Sequence, residues 1–315
     1  MATRPALAVR NKNVVNNQKA APAVHKPTRP QKVEFIKEDE PLKEPEKEKE
    51  PKKEVERESH DHDVELYLAH LAKKRQLDAN FLETAKINAR QRAILVDWLA
   101  QIQSKFELTS DSFFLACALL DRVIQPLEVT RDNLQVIGLA CIFVACKYEE
   151  VIVPHIDDFI YMSKSVCNMN ELFAAEREVL MAIRGNLAFT YPCHYLRKIR
   201  IVMRKDQAIN YELSKLLIDA TTIDYKCCWW LPAEKAAVAM TLAFHITKQD
   251  FPQEYMDLLE LETKDITPKA KLFVTRLPNY FDPSTKLTGL RLKYNKNPHL
   301  KQLVDALPTL QTHFQ

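Results

Sequence analysis

Residues 88–106 read Asn-Ala-Arg-Gln-Arg-Ala-Ile-Leu-Val-Asp-Trp-Leu-Ala-Gln-Ile-Gln-Ser-Lys-Phe. Asn88 sits just ahead of the periodic stretch and Gln91 follows three residues on, the spacing of a reciprocal helix cap. Ile94, Leu95, Trp98, Leu99, Ile102 and Phe106 then recur every three or four residues, as on one face of a helix. The stretch predicts an amphipathic helix that starts at Asn88 and lies on a larger apolar body.

The same reading extends downstream. Thr109 or Ser110 starts a second helix that runs toward Pro126. Thr130 starts a third through Lys147, a short one covers about Ile156 to Ser163, and a fifth runs from about Met169 to Arg184 with Gly185 as its cap. The third helix is apolar nearly all round, through Leu134, Val136, Ile137, Leu139, Ala140, Ile142, Phe143, Val144 and Ala145. It must therefore be enclosed by the others. A second unit repeats the plan. Pro192 opens a helix through Arg204, another spans about Gln207 to Tyr225, and Pro232 opens a third that is again apolar or small all round. Pro252 and Pro268 are placed in first turns. Upstream, Val64, Leu66, Tyr67, Leu68 and Leu71 mark a short leading helix outside the main body. The first thirty residues carry Arg4, Arg10, Lys12, Lys19, Lys26 and Arg29 and no acid, and a Lys/Glu/Pro run follows from Glu38 to Glu58. Such a segment cannot bury enough apolar surface to offset the entropy of ordering it, so a disordered tail is expected.

Composition narrows the function. Three glycines, Gly138, Gly185 and Gly289, cannot form a Gly-rich phosphate loop, which weighs against a nucleotide-dependent enzyme. A formal charge of +3 demands neither nucleic acid nor membrane as partner. The seven cysteines, Cys117, Cys141, Cys146, Cys167, Cys193, Cys227 and Cys228, form no CxxC pair and are expected as buried, reduced thiols of an intracellular protein. The N-terminus has no apolar core of a secretory signal, and the longest apolar run, Val136 to Cys146, is too short to span a bilayer. His60-Asp61-His62 has no third ligand spaced with it and reads as a solvated linker. No nucleophile–base pair, metal site or cofactor site emerges.

Arg92 to Leu99, Arg-Ala-Ile-Leu-Val-Asp-Trp-Leu, resembles the signature of the cyclin box, Met-Arg-Ala-Ile-Leu-Val-Asp-Trp-Leu. Leu120-Asp121-Arg122, Asn133-Leu134-Gln135, Cys146-Lys147-Tyr148-Glu149-Glu150, Asp157-Asp158-Phe159-Ile160-Tyr161 and Glu176 follow in family order, and the likeness covers about residues 63–285. It is closest in kind to B-type, G2/mitotic cyclins. The resemblance implies an all-α fold of two tandem five-helix cyclin-box domains with a short leading helix and a disordered tail. The expected bounds are 1–60 for the tail, 61–188 for the first box with the leading helix, and 189–315 for the second.

It also implies residue roles. Arg92 and Asp121 form a structural ion pair. Lys147 and Glu176 face a protein kinase, with Tyr67, Tyr148, Leu180 and Leu187 as apolar contacts; an aromatic contact after the fifth helix is replaced by Gly185. Gln91, Ile94, Leu95, Trp98, Leu134 and Gln135 form a substrate-docking groove, with Gln91 where the family has Met. Gln101 and Lys105 stand where A-type cyclins carry acids, which argues against strong binding of basic docking peptides. His194, Arg197 and Lys198 resemble part of a phosphate-binding pocket whose further Arg is Met181 here; a plain basic helix face is the other reading. Arg4 and Leu7 resemble a destruction box, with Lys12 where an Asn is usual. The function implied is a regulatory subunit, not itself an enzyme, that activates a mitotic cyclin-dependent kinase at the G2/M transition. The implied partners are that kinase, ubiquitin-ligase machinery reached through the tail, and phosphorylated or docking-motif substrates, in nucleus and cytoplasm. A cyclin-box protein of transcription, or a helical scaffold without kinase activation, are the alternatives.

Overall fold

The computed structural model describes residues 51–164, 166–281, 284–294 and 298, with side chains from residue 62 onward. The expected disordered tail up to residue 50 and the Arg4/Leu7 motif lie outside the described residues. Among those described there is no strand. A leading helix α1 (Pro51–Lys74) precedes α2 (Ala89–Phe106), α3 (Ser110–Val123), α4 (Leu134–Glu149), α5 (Ile156–Met162) and α6 (Met169–Ala182). A second set follows: α7 (Pro192–Val202), α8 (Ala208–Ile223), α9 (Pro232–Ile246), α10 (Glu254–Leu258), α11 (Thr263–Val274), α12 (Pro278–Phe281) and α13 (Gly289–Tyr294).

Each set wraps one enclosed helix. From Leu134 to Cys146, α4 buries residues on every side, and α9 does the same from Lys235 to Phe244. Each fully buried Leu, Ile or Phe contributes about 1.5–3 kcal/mol by leaving water. Gly138 lets α2 approach α4 closely, because a Cβ there would come within 2.8 Å of the Leu95 side chain. Local signals set several starts. Asn88 and Gln91 exchange backbone hydrogen bonds at α2, Asn168 and Glu171 do so at α6, Thr109 caps α3, and Pro192 and Pro232 occupy first-turn positions. All seven cysteines are buried and unpaired.

Four details depart from the sequence reading. The leading helix does not stand apart from the main body: Leu71 and Ala72 are buried, and Glu65 pairs with Lys198 of α7 at 2.7 Å. Helix α4 starts at Leu134 rather than Thr130, since Asn133 turns its side chain back to the Thr130 N–H at 2.7 Å and closes a turn first. At the end of α6, Arg184 takes the first left-handed position (φ 53°) and Gly185 the next (φ 66°), with Gly185 N–H returning to the Leu180 carbonyl in a Schellman closure. Pro268 lies in the second turn of α11, not its first.

One buried cluster joins the two sets. Arg92 of α2 is fully buried and binds Asp121 of α3 through two hydrogen bonds, at 2.6 and 2.7 Å. Its other donors reach the carbonyls of Thr222 and Ile223 at the end of α8, at 3.0 and 2.9 Å. Burial opposes the charge, but Asp121 prevails and holds the guanidinium above its ordinary pKa. Removing one partner of such a pair leaves the other uncompensated. Asp121→Ala is expected to lower the unfolding free energy by about 3–5 kcal/mol in urea titrations. The apolar double variant Arg92→Met/Asp121→Leu is expected to recover much of that loss.

Candidate functional site

The end of α4 and the outer face of α6 meet at an ion pair. Lys147 Nζ contacts Glu176 Oε1, and the same ammonium lies 4.3 Å from the centre of the Phe143 ring. The pair is only partly exposed, with Lys147 at 39% and Glu176 at 14% of side-chain surface. As an isolated surface contact it would be worth about 0–1 kcal/mol, so its interest is positional. Around it the surface is unusually apolar. Tyr148 is exposed beside Lys147, Val151, Ile152 and Val153 follow on the chain, and Phe173 is exposed one turn before Glu176 on the same face of α6. Leu180 and Leu187 are half-buried, and Tyr67 is exposed on α1. Phe173 escaped the sequence reading, although its spacing to Glu176 and Leu180 was a usable signal.

The two acids beside Lys147 do other work. Glu149 accepts a 2.8 Å hydrogen bond from the Tyr191 hydroxyl. Glu150 accepts from Thr109 N–H, Thr109 Oγ1 and Ser112 Oγ at 2.5–2.9 Å, and so closes the N-terminus of α3. Within one five-residue block, Lys147 and Tyr148 face outward while Glu149 and Glu150 anchor the backbone that aims them.

The second predicted surface is a groove of about 400 Å³ between α2, α4 and the segment before α13. Gln91, Ile94, Leu95, Trp98, Leu134 and Gln135 all line it. Ile94 is half exposed, whereas Leu95 and Leu134 are buried. Gln91 is committed elsewhere at its tip: its Oε1 accepts the Asn88 N–H at 2.9 Å, so the residue standing in place of Met serves the helix cap. Arg131, Lys286 and Leu287 also line the groove and were not foreseen. Its one carboxylate, Asp97, is consumed, accepting Gly289 N–H at 2.8 Å, Thr288 N–H at 3.1 Å and the Gln101 amide at 3.1 Å. Burial raises the Asp97 carboxyl above the usual range, and these N–H groups only partly offset that. Gly289 is required for this dock, since a Cβ there would lie 2.3 Å from the Asp97 carbonyl oxygen. Lys293 completes the clasp with Gln103 at 2.8 Å and Asp219 at 2.5 Å.

The third set, His194, Arg197 and Lys198, lines a shallow groove against α1. Its cations are already matched. Arg197 pairs with Asp111 at 2.6 Å, and Lys198 pairs with Glu65 at 2.7 Å and reaches the Leu258 carbonyl at 2.8 Å. Met181 is exposed and supplies no charge. Asp111, Cys193 and His194 bring potential ligand atoms within 4.8 Å of one another. The Cys193 thiol, however, donates to Asp111 at 2.7 Å, and Arg197 holds the other oxygen. Burial pushes the Cys193 thiol up and the His194 imidazole down, and Asp111 is already held by Arg197.

Comparison with known proteins agrees with this layout. The family described as cyclin, N-terminal domain matches residues 63–188, and that described as cyclin, C-terminal domain matches residues 190–307. A chicken (Gallus gallus) protein named G2/mitotic-specific cyclin-B2 is 33% identical over 76% of this chain and 60% of its own length. The cattle (Bos taurus) protein of the same name is 30% identical over 79% of this chain and 62% of its own. The chain thus spans about three fifths of the length of these curated relatives. Among solved structures, a viral cyclin from herpesvirus saimiri superimposes with a TM-score of 0.55 at 19% identity, over 81% of this chain and 97% of that one. A chain of the yeast RNA polymerase II CTD kinase CTDK-1 complex gives 0.52 at 13% identity, over 73% of this chain and 86% of that one. These two likenesses speak for the fold.

The Asp97 clasp makes its own prediction. Asp97→Ala and Gly289→Ala should each speed amide exchange across residues 289–294 by roughly tenfold to a hundredfold, the loss of one or two buried hydrogen bonds. Exchange in α9, read by mass spectrometry in the same sample, should stay unchanged.

Proposed function

Because the chain belongs to the cyclin family, we propose that it is a non-catalytic regulatory subunit that binds a mitotic cyclin-dependent protein kinase and holds it in its active conformation at the G2/M transition. The observation that carries this reading is the Lys147–Glu176 pair set in an exposed apolar face built from α4, α6 and the residues after α4. An apolar surface of this kind, rimmed by charge, is costly to leave in water and marks a protein interface. The names of the curated relatives support the mitotic assignment.

The physical mechanism is a population shift. A kinase alone keeps its αC helix displaced and its catalytic Lys–Glu pair unmade. A rigid partner that binds only the inward helix position moves the equilibrium by its differential affinity. Taking a two-state switch from 1:99 to 99:1 requires about 5.5 kcal/mol. An interface of about 2,000 Å² with a few well-packed anchors supplies that amount. Tyr148, Phe173 and Leu180 are the candidate anchors here, with Lys147 and Glu176 fixing register. The two acids behind Lys147 matter because a loose lever cannot bias the kinase.

The groove on α2 is proposed to select substrates by docking. Arg131 and Lys286 line it and its only acid is neutralised by the α13 backbone, so it favours apolar segments with acidic flanks over basic ones. Turnover through ubiquitin ligase at Arg4 and Leu7, and residence in nucleus and cytoplasm, belong to the same proposal.

Two measurements test it. Lys147→Ala/Glu176→Ala is expected to abolish histone-kinase activity of the reconstituted pair while leaving circular dichroism and melting unchanged; undiminished activity refutes the assignment. Gln91→Met is expected to tighten an apolar docking peptide about fivefold to thirtyfold in fluorescence polarisation, the equivalent of about 1–2 kcal/mol of added apolar burial.

A further inference from the structure

A second cationic centre, with Lys235 buried and Arg75 and Arg122 half-buried, lies apart from the surfaces above. A cavity of about 80 Å³ sits between the end of α1, α3 and the first turn of α9. Arg75, Arg122 and Lys235 all line it. None of the three has a carboxylate partner among the described residues. Arg122 spends its guanidinium on the backbone carbonyls of Ala118, at 2.9 Å, and Arg75. Arg75 Nε is buried with no acceptor at all. Lys235 is 8% exposed, and its ammonium makes no hydrogen bond or ion pair among the described residues. The one acid in the wall, Asp121, already gives both oxygens to Arg92. Glu234, next to Lys235, is turned away to Lys269 at 2.5 Å. Arg75 and Arg122 crowd the same Phe189 ring, at 5.2 and 4.4 Å, which places like charges side by side.

Uncompensated buried cations are costly unless a counter-charge joins them. The geometry points to a tetrahedral oxyanion of the phosphate class bound in this cavity, held by Lys235, Arg75 and Arg122. Three features fit that chemistry. The volume exceeds the roughly 10–15 Å³ that one water needs, and leaves room for a small polyatomic ion. Guanidinium forks match phosphate oxygens in pairs, and an ammonium adds a mobile point charge. Leu231 and Pro232, also in the wall, open α9, whose positive dipole end favours an anion. Burial lowers both Arg122, to about 10, and Lys235, and a bound anion would reverse that pull. Seated there, the ion would tie the end of α1 to both helical sets.

The same phosphoryl chemistry is available from free phosphate or from a phosphoserine side chain. Titration calorimetry of the full chain with inorganic phosphate, at ionic strength held constant with sodium chloride, is expected to show one saturable site. Lys235→Met and Arg75→Gln should each weaken it about tenfold or more, the loss of one charge-assisted contact. Arg197→Gln, in the separate cationic groove, should leave it unchanged. A phosphoserine peptide that displaces the phosphate would assign the peptide source, and one that does not would assign the free ion. Should Lys235→Met fail to fold, Arg75→Gln, at a partly exposed position, carries the test alone. No saturable binding overturns the proposal, as does binding that survives loss of both cations or that is lost in Arg197→Gln.

Discussion

The architecture turns on one guanidinium. Arg92 is placed by the signature helix, neutralised by Asp121 from the next helix, and completed by two carbonyls that end α8 in the other half of the chain. A charge at full burial is tolerable only when it is paired and hydrogen-bonded, and here the guanidinium is held by acceptors from two other helices, α3 and α8. The cluster therefore selects a mutual arrangement of the two helical sets more than it adds stability. The Phe81–Tyr225 ring contact at 5.5 Å and the Lys293–Gln103 hydrogen bond at 2.8 Å reinforce the same junction.

From that junction outward, the two working surfaces have different physical characters. The face around Lys147 is apolar, exposed and backed by hydrogen bonds from Glu149 and Glu150 that stiffen the end of α4. The groove on α2 is shaped from behind: Gln91 is turned into a cap, Leu95 is drawn toward α4 by the absence of a side chain at Gly138, and Asp97 is occupied by the backbone of a helix nearly two hundred residues later.

What could be read from the chain in advance followed the range of the interactions. Helix starts at Asn88, Thr109, Pro192 and Pro232 were legible because a cap is a conversation among four neighbouring residues. The enclosed helices were legible because apolar residues ran all round them. Helix ends were harder. Glu107, Glu128, Lys164, Arg184, Lys248 and Glu260 all take left-handed backbone positions where glycine is the usual flag, so the flag was missing. Lys147 and Glu176 were found through the family pattern, since nothing local marks two surface charges as neighbours. The capping of α13 by Asp97 and the crowding of Arg75 and Arg122 on Phe189 depend on chain segments brought together only by folding. No pattern within a single helix announces them.

The clasp between Asp97 and Gly289 has a consequence for how the chain can be divided. A fragment cut after the first helical set would keep every residue of the signature helix, yet it would strip Arg92 of its two carbonyls and Asp97 of its amides. Each of these two polar groups would then lose part of the ligand set that makes its burial tolerable. The first set is thus not a transplantable part, and the lip of its groove is inherited from the far end of the polypeptide.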